Sequence, residues 1–375
     1  MLIGVPKEIK NNEYRVGLTP AGVRELVAHG HRVLVQHDAG ADIGLVDELY
    51  VRAGADIADS AGEVFDSADM IVKVKEPQPD ECAMLRPGQT LFTFLHLAPD
   101  PEQTRLLVDS GAICIAYETV TDARGGLPLL TPMSEVAGRM AVQEGAHALQ
   151  KAQGGSGVLL GGVPGVETGN VMVVGGGTVG LNAARIAMGM GANVTIIDRS
   201  LPRLQRIDEL YGERLNTLYS NAHTIEEQLA GADLVIGAVL IPGAATPRLV
   251  THDMLSLMKP GSVLVDVAID QGGCFETSRP TTHEAPLFSV DGIVHYAVAN
   301  MPGGVPRTST FALTNATLPF VLALADKGVT GALRDDTHLR DGLNVCKGMV
   351  THAAVAHELG YPYVSTQEAL QRSTA

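Results

Sequence analysis

The apolar run Val171-Met-Val-Val174 passes directly into Gly175-Gly-Gly-Thr-Val-Gly180 and then into a helical pattern. Strand, glycine turn and helix in that order commit the chain to a βαβ unit of the dinucleotide-binding kind. Gly175 serves the sharp turn, Gly177 the close approach of backbone to a pyrophosphate, and Gly180 the packing of helix on strand. Thr178 and Val179 complete the turn and open the helix, whose N-terminal amides face phosphate charge. With 42 glycines in 375 residues, the spacing taken alone also fits an ordinary tight turn. Its context is what gives it weight. The next apolar run, Asn193-Val-Thr-Ile-Ile-Asp198, ends in a carboxylate close to the roughly 20-residue spacing at which an acid accepts the ribose hydroxyls. A carboxylate at Asp198 repels the 2′-phosphate of NADP and points to NAD, although the adjacent Arg199 offers that phosphate a partner.

Apolar strand patterns alternate with helical ones along most of the chain, as in parallel α/β sheets. One series begins at Leu2-Ile-Gly-Val5. A helix follows with Thr19 as N-cap, Pro20 at its first position, Gly30 as terminator, and Val23, Leu26 and Val27 on one face. Further strands are expected at 32–36, 70–75, 90–96 and 112–118. A long helix over about 134–152 leads to the glycine turn and a second series, with strands at 171–174, 194–198, 234–239, 262–270 and 293–298. A helical stretch from Pro306 through Ala325 marks the return of the chain to the first domain. The expected architecture is two doubly wound Rossmann-like α/β domains with a cleft between them. Residues 1–128 and 306–375 form a discontinuous substrate domain, and 129–305 form the dinucleotide-binding domain.

Composition excludes several classes. A net charge of −15 without a Lys/Arg cluster argues against nucleic acid. No uninterrupted apolar run reaches the roughly 18 residues of a membrane span, and the N-terminus lacks a signal-peptide pattern. A cytoplasmic protein is expected. Cys82, Cys114, Cys274 and Cys346 are scattered and read as reduced structural thiols. His352 and His357 miss the i, i+4 spacing of a helical metal pair, and no metal site is expected.

Ligands in open parallel sheets bind beyond the carboxyl ends of strands. That rule selects Lys75, His96, Glu118, Asp198, Leu240 and Asp270. Each has an ordinary alternative: a core histidine at 96, a surface charge at 75, a turn or cap residue at 270. Arg15, in the polar loop before the first helix, is by default a solvated arginine.

The residues also carry a family resemblance. The segments Gly4-Val-Pro-Lys-Glu-Ile-Lys-Asn-Asn-Glu-Tyr-Arg-Val16, Lys73-Val-Lys-Glu-Pro77, Leu91-Phe-Thr-Phe-Leu-His-Leu97, Pro132-Met-Ser-Glu-Val-Ala-Gly138, Gly161-Gly-Val-Pro-Gly165, the glycine turn, Asp266-Val-Ala-Ile-Asp-Gln-Gly-Gly-Cys274 and Val298-Ala-Asn-Met-Pro302 follow one another over nearly the whole chain. In this series the chain resembles the alanine dehydrogenases.

The resemblance implies reversible, NAD-linked oxidative deamination of L-alanine to pyruvate and ammonia. It places Arg15 on the substrate carboxylate, Lys75 on the carboxylate or the carbonyl oxygen, His96 and Asp270 in catalysis, Met133 near the nicotinamide or the substrate methyl, and Asn300 beside the substrate. Around the cofactor it places Ser134, Asp198, Arg203, Ser220, Val239 and Leu240. The segment Val267, Ala268, Ile269 and Asp270, then Arg279, and finally Val298, Ala299, Asn300 and Met301 complete that set. It also implies a homohexamer. Two positions depart from relatives: Phe94 stands where some carry Tyr, and Ala323 and Lys327 stand where some carry metal ligands. The rival readings are the NAD(H)-binding subunit of a proton-translocating transhydrogenase, a saccharopine-type dehydrogenase, and a cofactor sensor without turnover.

Overall fold

A computed structural model describes residues 1–239 and 247–372. The chain divides into two compact units: Met1–Met133 with Val305–Ala375, and Ser134–Gly304.

In unit 1, eight strands form one sheet in the spatial order Met349–Val350, Leu343–Cys346, Ile113–Ala116, Thr90–Thr93, Met70–Val72, Leu2–Val5, Arg32–Gln36, Asp56–Ala58. The last six are parallel, and counted along the chain from Leu2–Val5 they run 6-5-4-1-2-3. This is the doubly wound order, with its reversal between Leu2–Val5 and Met70–Val72. The strands are nearly continuous apolar runs because helices cover both faces, and Ile3, Val5, Met70, Ile71, Val72 and Leu91 are fully buried.

Unit 2 repeats the plan. Its sheet runs Leu287–Val290, Ile293–Tyr296, Val263–Asp266, Leu234–Gly237, Asn170–Val174, Asn193–Asp198, Asn216–Tyr219, all parallel except the first. The reversal lies between Asn170–Val174 and Leu234–Gly237, directly beside the glycine turn.

Local signals behave as the sequence indicates where they are self-contained. Thr19 Oγ1 caps the helix Pro20–Ala28 by accepting from Gly22 N at 3.3 Å. Val23 and Leu26 are buried on it, but Val27 is exposed, since it falls one step past the core face. The helix expected at 134–152 begins earlier, at Thr131, and ends at Ala148. The helix from Pro306 continues past Ala325 to Asp335, broken by the non-helical Gly328.

By length and composition this last helix could cross a membrane. It instead buries Ser309, Thr310, Leu313, Thr314, Val321 and Leu324 within unit 1, and Val16 N donates to Thr310 Oγ1 at 3.3 Å. Five strands among the described residues escaped sequence reading: Asp56–Ala58, Asn216–Tyr219, Leu287–Val290, Leu343–Cys346 and Met349–Val350. The first three lie at sheet edges and are only partly buried, so they mix polar with apolar residues, and in Leu343–Cys346 the polar Asn344 interrupts the apolar run. Met349–Val350 has only two residues.

Candidate functional site

The expectation that Lys75, His96 and Asp270 close their strands is corrected by the structure. The strands stop at Val72, Thr93 and Asp266, and each of these residues lies three or more positions further on, in irregular backbone. Asp270 sits in the single-turn 3₁₀ helix Ile269–Gln271. Single ladder hydrogen bonds persist just beyond, from Lys73 N to Phe92 O at 3.2 Å, Phe94 N to Val74 O at 3.2 Å and Val267 N to Gly237 O at 3.0 Å, before each segment leaves the carboxyl edge of its sheet as a loop.

In unit 1 the point of strand reversal gathers Glu8, Glu13, Arg15, Lys73 and Lys75. Arg15 is 2% exposed. Its Nε and Nη2 donate to the two oxygens of Glu13 at 2.6 and 2.5 Å, and its Nη1 lies 3.1 Å from Met133 Sδ. A buried guanidinium needs such a carboxylate, because an unpaired buried charge costs several kcal/mol, about 3–5 when a partner is removed. The solvated-arginine alternative is therefore excluded.

Behind it, Lys73 Nζ donates to Glu8 Oε2 at 3.0 Å and to Glu81 Oε1 at 2.6 Å, with all three side chains at 2% exposure or less. Burial works to lower the Lys73 pKa, but the two carboxylates outweigh it and the net direction is upward. Burial pushes the Glu8 carboxyl upward. Glu8 Oε1 also accepts from Val74 N at 2.6 Å and from Lys75 N at 3.4 Å, fixing the backbone that presents Lys75.

His96 is a non-glycine residue at φ 51°, a left-handed conformation that side chains rarely adopt. Glu118 holds it there. Its carboxylate accepts from His96 N at 2.6 Å and from Leu95 N at 3.2 Å, and lies 3.9 Å from His96 Nδ1. The imidazole stacks parallel to Phe94, with ring centroids 5.7 Å apart, and Phe94 packs edge-on against Tyr117. The ring remains about half exposed, so the core-histidine alternative is excluded.

In unit 2 the glycine turn meets its geometric test. Gly175 has φ 100°, and a Cβ on Gly180 would lie 1.8 Å from Gly175 O, so only glycine lets the helix Thr178–Gly189 begin there. A Cβ on Gly177 would meet nothing within 4 Å, so no internal packing demands glycine at the mouth of the turn. A turn of this geometry at a helix N-terminus could hold a phosphate-bearing ligand.

Around the turn, Asp198 Oδ2 accepts from Gly176 N at 2.7 Å and Arg203 Nη1 donates to Gly176 O at 3.2 Å. Ser220, 8% exposed, donates its amide to Asp198 O at 3.0 Å, and Val239 lies against the turn, with its Cγ2 3.0 Å from where a Cβ on Gly175 would stand. Leu240 lies outside the described residues.

Asp270 is exposed, and its Oδ2 lies 3.4 Å from the amide of Asn300, itself at φ 58°. Val267 N bonds to Gly237 O, Ala268 and Ile269 are buried, and Val298, Ala299 and Met301 carry Asn300 on a second loop. The Arg279 guanidinium lies 4.5 Å over the Phe288 ring. Ser134 stands on the helix Thr131–Ala148, half-buried, as the first residue of unit 2.

Sequence reading missed the carboxylates that organise these sites. Asp266 is 1% exposed and accepts from the amides of Ala268, Cys274 and Phe275, which shapes the loop bearing Asp270. Glu8 and Glu13 do the same for Lys75 and Arg15. The available signal was a charged residue inside or next to an apolar run, which is rarely buried without a partner.

All four cysteines are free and buried, and burial pushes the Cys82 thiol up to about 12. Among the described residues, His37, Asp38 and Asp47 bring three ligand-type atoms within 4.8 Å, in a largely exposed cluster whose histidine pairs with both carboxylates.

Comparison with known proteins then adds the family. The model of the alanine dehydrogenase/PNT N-terminal domain matches residues 4–137, and that of the C-terminal domain matches residues 141–353. An alanine dehydrogenase of Halomonas elongata is 62% identical, over 97% of this chain and 98% of its own. A solved L-alanine dehydrogenase superposes with a TM-score of 0.93 at 52% identity, covering 96% of this chain and 99% of that one. A transhydrogenase from Sinorhizobium meliloti gives 0.81 at 25% identity, over 94% and 100%.

Proposed function

Because the chain belongs to the alanine dehydrogenase/PNT family, we propose that it interconverts L-alanine with pyruvate and ammonia, using NAD as the redox partner. The observation that carries this reading is the 62% identity to an alanine dehydrogenase over the full length of both chains. For the transhydrogenase alternative, the structural relative stands at 25% identity.

The roles of individual residues are part of the proposal. A bound nicotinamide supplies or accepts the hydride at the substrate carbon. Arg15 and Lys75 attract the substrate carboxylate, and the Glu13 clamp keeps the guanidinium in one orientation. His96 protonates the carbonyl oxygen as ammonia adds and takes a proton back in the reverse direction. Asp270 accepts protons from the amine and offsets the charge of the iminium. Phe94 and Met133 give the substrate methyl apolar surroundings.

In unit 2 the turn Gly175–Gly180 receives the pyrophosphate, and Asp198 the adenosine ribose, which disfavours the 2′-phosphate of NADP. Arg203, Ser220, Val239 and Leu240, with Val267–Asp270, Arg279 and Val298–Met301, complete the cofactor surroundings, and Ser134 extends them from its helix. A homohexamer in the cytoplasm belongs to the same reading.

The test is NADH consumption by the purified protein with pyruvate plus ammonium, against controls lacking ammonium and controls with NADPH. Loss of NADH only when both substrates are present is the expected outcome. No loss while NADH still binds would transfer the chain to the transhydrogenase-subunit or sensor reading.

A further inference from the structure

Arg15 and Lys75, the two cations assigned to the substrate carboxylate, already face carboxylates of their own chain, and they do so differently. Glu13 grips Arg15 through two charge-assisted hydrogen bonds in a fully buried pair. Lys75 Nζ instead lies 3.3 Å from Glu76 Oε2, and that oxygen, though shielded from solvent, has no hydrogen-bond partner. The other oxygen, Oε1, accepts a hydrogen bond from Lys10. The side chains of Lys75 and Glu76 are 12% and 13% exposed, against 36% for Lys10. One carboxylate is thus shared between two ammonium groups, hydrogen-bonded to the outer one and only electrostatically engaged with the inner one.

We propose that Glu76 is a resident competitor for the substrate carboxylate at Lys75, and that Lys10 sets how strongly it competes. This rests on the reading of Lys75 as a carboxylate-binding residue. The backbone of Lys75 is anchored through Glu8, so exchange of partners falls to the side chains. When a 2-oxoacid arrives, Lys75 trades Glu76 for the incoming carboxylate, and Glu76 turns fully to Lys10. A cavity of about 150 Å³ lined by Lys10, Glu76, Gln78, Asp100 and Gln103 gives the side chain room to turn.

Glu76 remains an anion throughout. Burial would raise its pKa, but Lys75 and Lys10 outweigh that and bring it to about 2. The device lowers affinity for the anion while keeping Lys75 from being buried without a counter-ion in the empty site. Specificity follows as well, because only a ligand carrying its own carboxylate can replace Glu76.

The experiment compares Glu76→Gln, Lys10→Met and the double variant in the full chain. It reads KM for pyruvate, inhibition by oxamate as a non-reacting probe, and KM for ammonium as an internal reference. Removing the competitor in Glu76→Gln lowers pyruvate KM and the oxamate inhibition constant by about threefold. Lys10→Met leaves Glu76 to Lys75 alone and raises both by about the same factor. The double variant behaves as Glu76→Gln, since Lys10 acts only through Glu76.

A rise in both constants in Glu76→Gln would make Glu76 a mere support for Lys75 and overturn the proposal. So would a Lys10 effect that persists in the double variant, or one that falls equally on ammonium. Lys75→Met separates this failure from failure of the functional reading. An unchanged pyruvate KM there removes Lys75 from substrate binding altogether. A raised KM without the opposite responses of Glu76 and Lys10 removes only the competition.

Discussion

Asp198 Oδ2 accepts a hydrogen bond from the Gly176 amide at 2.7 Å, which ties the end of the strand Asn193–Asp198 to the turn before the helix Thr178–Gly189. The same carboxylate accepts from Ser200 N at 2.7 Å through its other oxygen, so its position is fixed from both sides. Asp198→Ala should weaken NADH binding by roughly tenfold and narrow the lead of NADH over NADPH. Fluorescence titration with both nucleotides measures this. Loosening of the turn alone would weaken both nucleotides equally, so an unchanged ratio places the ribose contact elsewhere.

The glycines of the turn should separate by phenotype. In Gly180→Ala the new Cβ meets Gly175 O at 1.8 Å and backbone must move, so a stability loss of about 3 kcal/mol is expected. Gly177→Ala adds a methyl where nothing lies within 4 Å, and should fold with near-normal stability yet bind NADH poorly. Urea unfolding beside nucleotide titration reads both properties. Equal stability losses in the two variants would contradict the assignment.

Asp270 carries little structural duty, being exposed and only 3.4 Å from the Asn300 amide. Asp270→Asn should therefore retain stability within about 0.5 kcal/mol and retain NADH affinity, while turnover falls by roughly 100-fold or more. Near-normal turnover would remove Asp270 from the chemistry.

The cluster under Lys75 should be intolerant of partial removal. Lys73→Met leaves Glu8 and Glu81 buried without their shared cation, and a loss of about 3–5 kcal/mol is expected. The triple change Lys73→Met, Glu8→Gln, Glu81→Gln should recover part of it, because no buried charge is then left uncompensated. Chemical denaturation of both variants decides the point.

His295 supplies a pH dependence. Its Nδ1 lies 3.0 Å from Ile293 O and its Nε2 2.7 Å from the Thr277 hydroxyl, an arrangement that suits a neutral ring donating through Nδ1. Burial lowers its pKa below 6.5. The unfolded chain therefore binds a proton that the folded chain refuses. The contribution is complete above about pH 6.5 and is lost as pH falls from there toward the folded pKa. Thermal unfolding between pH 7 and 5 should show a shallower loss of Tm in His295→Gln than in the parent, and identical slopes would exclude the residue as a source.

Much of the candidate site was legible because its signals are local. The glycine turn with Asp198, and the helix started by Thr19 and Pro20, depend on backbone sterics and hydrogen bonds within a few residues of one another. The strand–helix alternation likewise announced two doubly wound sheets, since strands buried on both faces must be continuously apolar. The chain order also carried the family resemblance, and with it the names Arg15, Lys75, His96 and Asp270.

What only the tertiary structure decided is where charge is buried and what balances it. Glu8 meets Lys73 across 65 positions of sequence and Lys10 meets Glu76 across 66, while the left-handed His96 is held by a carboxylate 22 positions away. No periodicity reports such pairs. Whether a charged side chain ends as a solvated tip or a buried anchor is settled by desolvation, and desolvation is a property of the assembled fold.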